Sequence, residues 1–360
     1  MVSAPRVRIE PLALVLAPRP ARPYSERKDG NLTPKIVVAN WIHPEVMEVL
    51  RPHGNVEVNL EREPWPRDEL IRRCQGATAL MSFMTEWVDE PFLAACPDLR
   101  MIACALKGYD NYDIEACRRR RVCLSIVPDL LTDPTAELTV GLMIALGRRI
   151  LAADRFLRSG AFHGWKPHFY GTGLAGSLVG ILGMGAVGKA VATRLQGFGC
   201  RICYHDAKPP TETMDALPSA RPMPLGELLA AADYVVVCLP IAPGTVHLIT
   251  AEALARMKSG ALLVNTGRGS VVDEEAVAAA LAAGHLGGYA ADVFEMEDWA
   301  RPDRRHDIPP GLLAQADRTI LTAHIGSAVD VVRREIAMEA ARNIVQFLSG
   351  QRPQGALVAA

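Results

Sequence analysis

The run Leu178-Val179-Gly180-Ile181-Leu182-Gly183-Met184-Gly185-Ala186-Val187-Gly188 decides how the rest of the chain is read. Its apolar start ends in glycines spaced G-x-G-x-x-G, and Lys189 to Gln196 continues with helical periodicity. Glycines at that spacing let a strand turn sharply into a helix and let the backbone approach a pyrophosphate. The helix start then aims unpaired N–H groups at the phosphate charge. Asp206 ends the next apolar run, Arg201 to Tyr204, near the roughly 20-residue spacing at which an acid meets a ribose 2′-hydroxyl. The pattern predicts NAD as cofactor, held by Gly183, Gly185, Ala186, Val187, Gly188 and Asp206. A carboxylate at this place repels a 2′-phosphate, and Lys208 softens that repulsion.

Downstream of the glycine turn, Tyr234 to Cys238, Ala261 to Asn265, Gly288 to Ala291 and Thr319 to Leu321 read as further strands. With the first two runs this matches the strand count of a dinucleotide-binding fold. Upstream, Ile36 to Ala39, Val56 to Asn59, Ala77 to Ser82, Met101 to Leu106 and Val122 to Val127 alternate with helices that begin at His43-Pro44, Pro66-Arg67, Asp89 and Ile114. The alternation predicts a second parallel, doubly wound sheet and an α/β class. Asp133-Pro134 predicts an N-cap and a helix running to Ser159, stopped by Gly160. From Leu138 to Leu146 that helix is apolar nearly all round, so it must be covered, between two domains, by a partner subunit or as an ordinary core helix, and a homodimer contact is expected there. Ile336, Ala340, Ile344 and Phe347 form an apolar stripe on a last helix, Ala328 to Ser349, which Gly350 ends.

Composition bounds the function. The 360 residues are 49% hydrophobic and 22% charged, a globular balance with room for two to three domains. Lys plus Arg is 39 and Asp plus Glu 40, so the net charge of −1 offers no broad attraction to nucleic acid or an anionic membrane. Any anion specificity must be local. Leu138 to Gly147 falls far short of the roughly 20 apolar residues that span a bilayer. Of the eight cysteines, Cys104, Cys123 and Cys238 sit in apolar runs as small hydrophobes, which predicts a reducing, cytoplasmic setting. Cys200-x-x-Cys203 with His205 resembles half a metal site. In a strand, however, residues three apart face opposite ways, so both cysteines are read as structural and no metal is expected.

Three stations lie at the ends of predicted strands: Asn265-Thr266-Gly267-Arg268-Gly269, Asp292-Val293-Phe294-Glu295-Met296-Glu297 and Thr322-Ala323-His324-Ile325-Gly326. Ligands of open α/β sheets bind beyond the carboxyl ends of the strands, so Arg268, Glu297 and His324 are expected to converge. Arginine clamps an anion bidentately. A glutamate beside a histidine orients it and supports acid/base work.

In order and type these stations resemble the D-isomer-specific 2-hydroxyacid dehydrogenase family over residues 34 to 350. The resemblance implies a Rossmann dinucleotide-binding domain (132–323) inserted in a flavodoxin-like substrate domain (34–131 and 324–350). Residues 1–33, with Pro5, Pro11, Pro18, Pro20 and Pro23, five arginines and no periodicity, read as a disordered extension, and 351–360 as a tail. It implies that Arg268, Glu297 and His324 are catalytic and that Asp292 meets the nicotinamide amide. Cys238, Leu239, Pro240 and Thr266 would line the cofactor. Ala323 departs from the proline usual before the histidine, which is expected to loosen that loop.

Cys104-Ala105-Leu106-Lys107-Gly108-Tyr109-Asp110-Asn111-Tyr112-Asp113, Val127-Pro128-Asp129-Leu130-Leu131-Thr132 and Val293-Phe294-Glu295-Met296-Glu297-Asp298-Trp299-Ala300-Arg301 resemble, within that family, members that oxidise phosphite. This closer resemblance implies phosphite as substrate, held by Lys107, Arg268 and Arg333, with Met84, Leu131 and Ser327 lining the cleft and Trp165 and Tyr170 closing over it. Charge agrees, because phosphite is largely dianionic at neutral pH and a 2-hydroxy acid carries one carboxylate. The Ser327-x-x-Asp330 spacing resembles a capping box and would add helix N–H groups facing an anion. Two other readings use the same features: a glyoxylate or hydroxypyruvate reductase, and an NAD-sensing binding protein akin to a corepressor.

Overall fold

The computed structural model describes residues 33–207 and 220–358; residues 1–32, 208–219, among them Lys208, and 359–360 lie outside the described residues. The chain opens with alternating strands and helices: β1 (Lys35–Val38), α1 (Pro44–Leu50), β2 (Asn55–Val58), α2 (Arg67–Arg73), β3 (Ala79–Ser82), α3 (Glu90–Ala95), β4 (Met101–Cys104), α4 (Ile114–Arg120) and β5 (Cys123–Ser125). Asp89 and Asp113 cap α3 and α4 by accepting from Phe92 N and Ala116 N, which satisfies donors that a helix start leaves unpaired. Two helices, α5 (Thr132–Gly147) and α6 (Ile150–Arg158), lead into a second series. This comprises β6 (Leu178–Leu182), α7 (Ala186–Leu195), β7 (Arg201–His205), β8 (Ala220–Pro222), α8 (Leu225–Ala231), β9 (Tyr234–Val237), α9 (Ala251–Arg256), β10 (Leu262–Asn265), α10 (Glu274–Ala282), β11 (Gly288–Ala291), α11 (Pro310–Leu313) and β12 (Thr319–Leu321). The chain then returns through α12 (Asp330–Leu348) and β13 (Ala356–Val358).

The first sheet is ordered β13-β5-β4-β3-β1-β2 and the second β12-β11-β10-β9-β6-β7-β8. Every pairing is parallel except β13 on β5. The order β2-β1-β3-β4-β5 is flavodoxin-like, and β8-β7-β6-β9-β10-β11 is the order of a Rossmann fold, so two doubly wound parallel sheets are present as expected. Ile336, Ala340 and Ile344 of α12 are fully buried among Ile36, Leu80, Met81 and Ile102 of the first sheet. Burying each such side chain contributes about 1.5 to 3 kcal/mol. The last helix therefore belongs energetically to the sheet begun at residue 35.

Several expectations need correction. The helix foreseen from Asp133 to Ser159 is two helices, because Arg149 adopts a left-handed φ of 54°. The Gly147 carbonyl, which a continuing helix would use, accepts instead from Thr172 N at 2.9 Å. A Cβ on Gly147 would lie 2.0 Å from the Tyr234 hydroxyl, so only glycine permits this approach. The N-cap of α5 is Leu131, and the Asp133 carboxylate pairs with Arg194 at 3.0 Å. The apolar circumference of α5 is covered largely by its own chain, with Ala136, Val140, Met143 and Leu146 buried in the core of the second sheet. The Ser327-x-x-Asp330 spacing forms no capping box: α12 begins at Asp330 with Val329 as N-cap, and the Ser327 hydroxyl accepts from Arg333 Nη1 at 3.3 Å. Residues 356–358, read as part of a tail, form the antiparallel edge strand β13, whose N–H and C=O groups pair with those of β5. Cys200 and Cys203 pack into the cores on opposite faces of the second sheet, and among the described residues no group of His, Cys, Asp and Glu could hold a metal ion.

Candidate active site

The glycine turn has the geometry that a pyrophosphate requires. Gly183 has φ +92°, and a Cβ on Gly188 would stand 2.1 Å from the Gly183 carbonyl, so strand and helix meet only through glycine. Space above Gly185 is open, since a Cβ there would meet nothing within 4 Å, and α7 starts at the next residue. Asp206 follows β7 and accepts from Met184 N at 2.7 Å, which fixes its carboxylate against the turn. Around the same crevice, the Thr139 hydroxyl donates to Thr135 O at 2.7 Å, so in its 2.8 Å contact with Thr266 the Thr266 hydroxyl is the donor. Burial pushes the Cys238 thiol up to about 12, leaving it a neutral wall beside Leu239 and Pro240. These residues fit a dinucleotide.

His324 and Glu297 meet at 2.6 Å through Nδ1 and Oε2. A carboxylate can only accept, so Nδ1 carries the hydrogen and Nε2 offers its lone pair. The remaining Glu297 oxygen accepts from Phe294 N at 2.8 Å, which holds the 3₁₀ turn Glu295–Glu297 onto itself. His324 is held at φ 52°, a conformation that side chains other than glycine rarely take. Asp292, 2% exposed, accounts for its persistence: it accepts from Thr322 Oγ1 at 2.6 Å and from Ile325 N and Gly326 N at 2.8 Å. The buried carboxylate thus pins the loop on both sides of the histidine. The loop that Ala323 was expected to loosen is tied at three points, and burial, only partly offset by these donors, raises the Asp292 pKa.

Arg268 arrives from the other side of the cleft floor, between β10 and the 3₁₀ turn Gly269–Val271. Its Nε and Nη2 donate to Asp110 at 2.9 to 3.1 Å, and Nη1 to Gly267 O at 2.9 Å. One N–H on each terminal nitrogen remains for a ligand. Burial works to raise the Asp110 pKa, but the guanidinium outweighs it and holds the carboxyl below its ordinary range. Asp110 follows β4 of the first sheet, so this pair bridges the two domains. The sequence reading quoted Asp110 within a motif and gave it no role. Its partner lies 158 residues away, and no periodicity marks such a pairing.

Lys107 and Arg333 are held less firmly. The Lys107 ammonium donates to Thr132 Oγ1 at 3.3 Å, at the first turn of α5. Ser327, Arg333's hydroxyl partner, follows Gly326, where a Cβ would lie 3.2 Å from Thr135 Oγ1 on that same turn. Neither cation has a carboxylate within salt-bridge distance among the described residues. Burial lowers the Arg333 pKa, the mark of a cation whose charge is uncompensated. Met84 and Leu131 are half-buried against the first core. Trp165 and Tyr170, which the resemblance has closing over the site, are not packed down on it by burial. They are 82% and 75% exposed on the segment between α6 and β6.

A family model for the NAD-binding domain of D-isomer specific 2-hydroxyacid dehydrogenases matches residues 140–326. A glyoxylate reductase of Thermococcus onnurineus is 36% identical over 327 residues, covering 89% of this chain and 95% of the relative. Among solved structures, a Thermus thermophilus protein superimposes with a TM-score of 0.81 at 35% identity, covering 90% of this chain and all of its own. A glyoxylate reductase from Paecilomyes thermophila gives a TM-score of 0.77 at 26% identity, covering 90% of this chain and 98% of its own.

Proposed function

The chain belongs to the D-isomer specific 2-hydroxyacid dehydrogenase family, and from that premise we propose that it oxidises phosphite to phosphate with NAD. The observation that carries this reading is the charge of the cleft. Beyond Arg268, whose charge Asp110 offsets, Lys107 and Arg333 add two cations with single hydroxyl partners and no carboxylate. A dianion compensates both; a monocarboxylate leaves one unpaired in a partly desolvated site, where an uncompensated charge is costly. The resemblance of residues 104–113, 127–132 and 293–301 to phosphite-oxidising members supports the same choice.

The nicotinamide supplies a hydride acceptor. Lys107, Arg333 and the two remaining Arg268 N–H groups bind the three phosphite oxygens and direct the P–H bond away from themselves. Asp292 steadies the His324 loop and would meet the nicotinamide amide with its remaining acceptor capacity. With the cofactor bound at the glycine turn, the hydride of the P–H bond would have its acceptor, and the groups of this chain hold the phosphite so that a water oxygen can form the new P–O bond. His324 Nε2 takes the water proton, and Glu297 stabilises the imidazolium so formed. Met84, Leu131 and Ser327 exclude bulk water.

A second reading, reduction of a 2-oxoacid such as glyoxylate, is favoured by the relatives named glyoxylate reductase at 36% identity. It uses the same Arg268, Glu297 and His324, with His324 as proton donor. Purified protein given phosphite and NAD, and separately glyoxylate or hydroxypyruvate and NADH, decides between them by absorbance of NADH. Phosphite-dependent NADH formation is expected; none, alongside rapid glyoxylate reduction, would sink the phosphite reading.

We also place the enzyme as a homodimer in a reducing, cytoplasmic compartment. Ile150, Leu151 and Leu157 of α6 and Phe162, Trp165 and Tyr170 after it are exposed apolar side chains that a second copy would cover. In that assembly Trp165 and Tyr170, 82% and 75% exposed in one chain, would be covered and would close over the site. Light scattering should report twice the chain mass at micromolar concentration. The eight cysteines are all free, which suits the compartment.

A further inference from the structure

We propose that Glu274 is a positioning residue that holds the two catalytic turns in register. The inference rests on the assignment of Arg268, Glu297 and His324 to the reaction, and on no particular substrate. Glu274 is the first residue of α10, a place where an acid ordinarily faces solvent, yet it is 1% exposed. Its burial is not needed to cap the helix, because Asp273 does that by accepting from Ala276 N. Instead Glu274 Oε1 accepts from Glu295 N at 2.7 Å, the first N–H of the 3₁₀ turn that ends in Glu297.

That turn carries the other one with it. Gly269, next to Arg268, is packed so closely on the Phe294–Glu295 peptide that a Cβ would lie 1.8 Å from Phe294 C and 2.1 Å from Glu295 N. Asp298 Oδ2 accepts from Ser270 N at 2.7 Å, a second tie between the turns. The Glu295 carboxylate is held by Arg301 at 2.8 Å and His247 at 3.2 Å, and His247 N donates to Ser270 O at 2.7 Å. The Glu274 bond ties the Glu295–Glu297 turn to the start of α10, the helix that the Gly269–Val271 turn enters through Val272 and Asp273. A shift of Glu295 would move Glu297 and, through it, the His324 ring, while pressing Gly269 and Arg268 aside.

The carboxyl has no second partner: its Oε2 is buried and unbonded among the described residues, as is the Tyr289 hydroxyl from β11. Burial, reinforced by the nearby Glu295 charge, pushes its pKa up to about 7. The groups that face it are Glu295 and Asp298, which disfavour its charge, Arg305, which favours it, and the neutral Tyr289. Neutral, it serves as an acceptor without adding to the negative charge of Glu295, Glu297 and Asp298. Glutamine reproduces that state, and leucine fills the space with no acceptor.

Glu274→Leu and Glu274→Gln should be compared in the full chain with whichever of phosphite and glyoxylate the parent turns over. The leucine variant is expected to lose at least tenfold in kcat while its Kd for NADH, read by cofactor fluorescence, stays within twofold. Glutamine should restore kcat to within threefold at pH 6, and its kcat relative to the parent should rise at least threefold from pH 6 to pH 9. A leucine variant with parental kcat, or a glutamine variant no better than leucine, would overturn the proposal. Should the leucine variant fail to fold, the glutamine pH ratio decides, a flat ratio being the negative result. Arg268→Ala in the same assay separates the two levels, since an active Arg268→Ala enzyme overturns the site assignment and this inference with it.

Discussion

The two walls of the cleft are built differently. On the Rossmann side Glu297 and His324 are joined at 2.6 Å, Asp292 ties the His324 loop at three points, and Gly269 lets two turns touch backbone to backbone. On the substrate-domain side Lys107 and Arg333 are each held by one 3.3 Å contact to a hydroxyl. Proton transfer needs a fixed geometry, because misplacement by about an ångström can slow a reaction a hundredfold. Recognition of an anion tolerates a flexible ammonium and a long guanidinium arm. On the proposed function, one wall would serve the shared chemistry and the other would select the substrate.

The contrast breaks if the rigid wall proves substrate-specific. Glu297→Gln removes the carboxylate that orients His324, and kcat should fall by about a hundredfold or more for phosphite and glyoxylate alike, measured by NADH absorbance. A loss confined to one substrate would deny the shared role. Lys107→Met probes the other wall. Leaving a dianion short of one charge in a partly desolvated site costs about 2 to 5 kcal/mol, so kcat/KM for phosphite should fall about thirtyfold or more. Any glyoxylate activity should fall less, and equal losses would erase the division of labour. Asp206→Ala lies outside both walls and should raise the NADP to NAD ratio of kcat/KM by about tenfold, with little change in substrate KM. An unchanged ratio would remove Asp206 from the ribose.

The smallest effect is a melting temperature. The Glu274 pKa is raised from the ordinary 4.5 to about 7, so between those values the folded chain binds more protons than the unfolded one. Its burial then opposes folding increasingly as pH rises through that window, by about 3 kcal/mol at its end. Glu274→Gln should melt with the parent at pH 4 and a few degrees above it at pH 8. Parallel curves across that range would show that the carboxyl does not titrate inside the rigid wall.

Much of this arrangement was legible in the residues. The glycine turn, Asp206 and the order of the three stations follow from spacing, and strand ends placed Arg268, Glu297 and His324 together. What escaped shares one character, dependence on partners far along the chain. Asp110 pairs with Arg268 across the domains, and Glu274 looks like an ordinary first-turn acid until Glu295 is seen above it. The helix break at Arg149 follows from Gly147 meeting Thr172 and Tyr234, partners that lie far along the chain. The edge strand β8 was missed because Arg221 and Pro222 are exposed and polar or rigid, so no alternation marks it.

The edge strand β13 bears on how the molecule comes to exist. Val358 pairs with Leu124, and the intervening chain contains an entire second sheet. During synthesis the Rossmann sheet, contiguous from β6 to β12, has all its strands once residue 321 has emerged, whereas the first sheet waits for α12 and β13 to cover it. Contacts of such long sequence separation form slowly. The domain that appears first from the ribosome is thus the last to be finished, and until then the apolar face of β3 and β4 is what a chaperone would find.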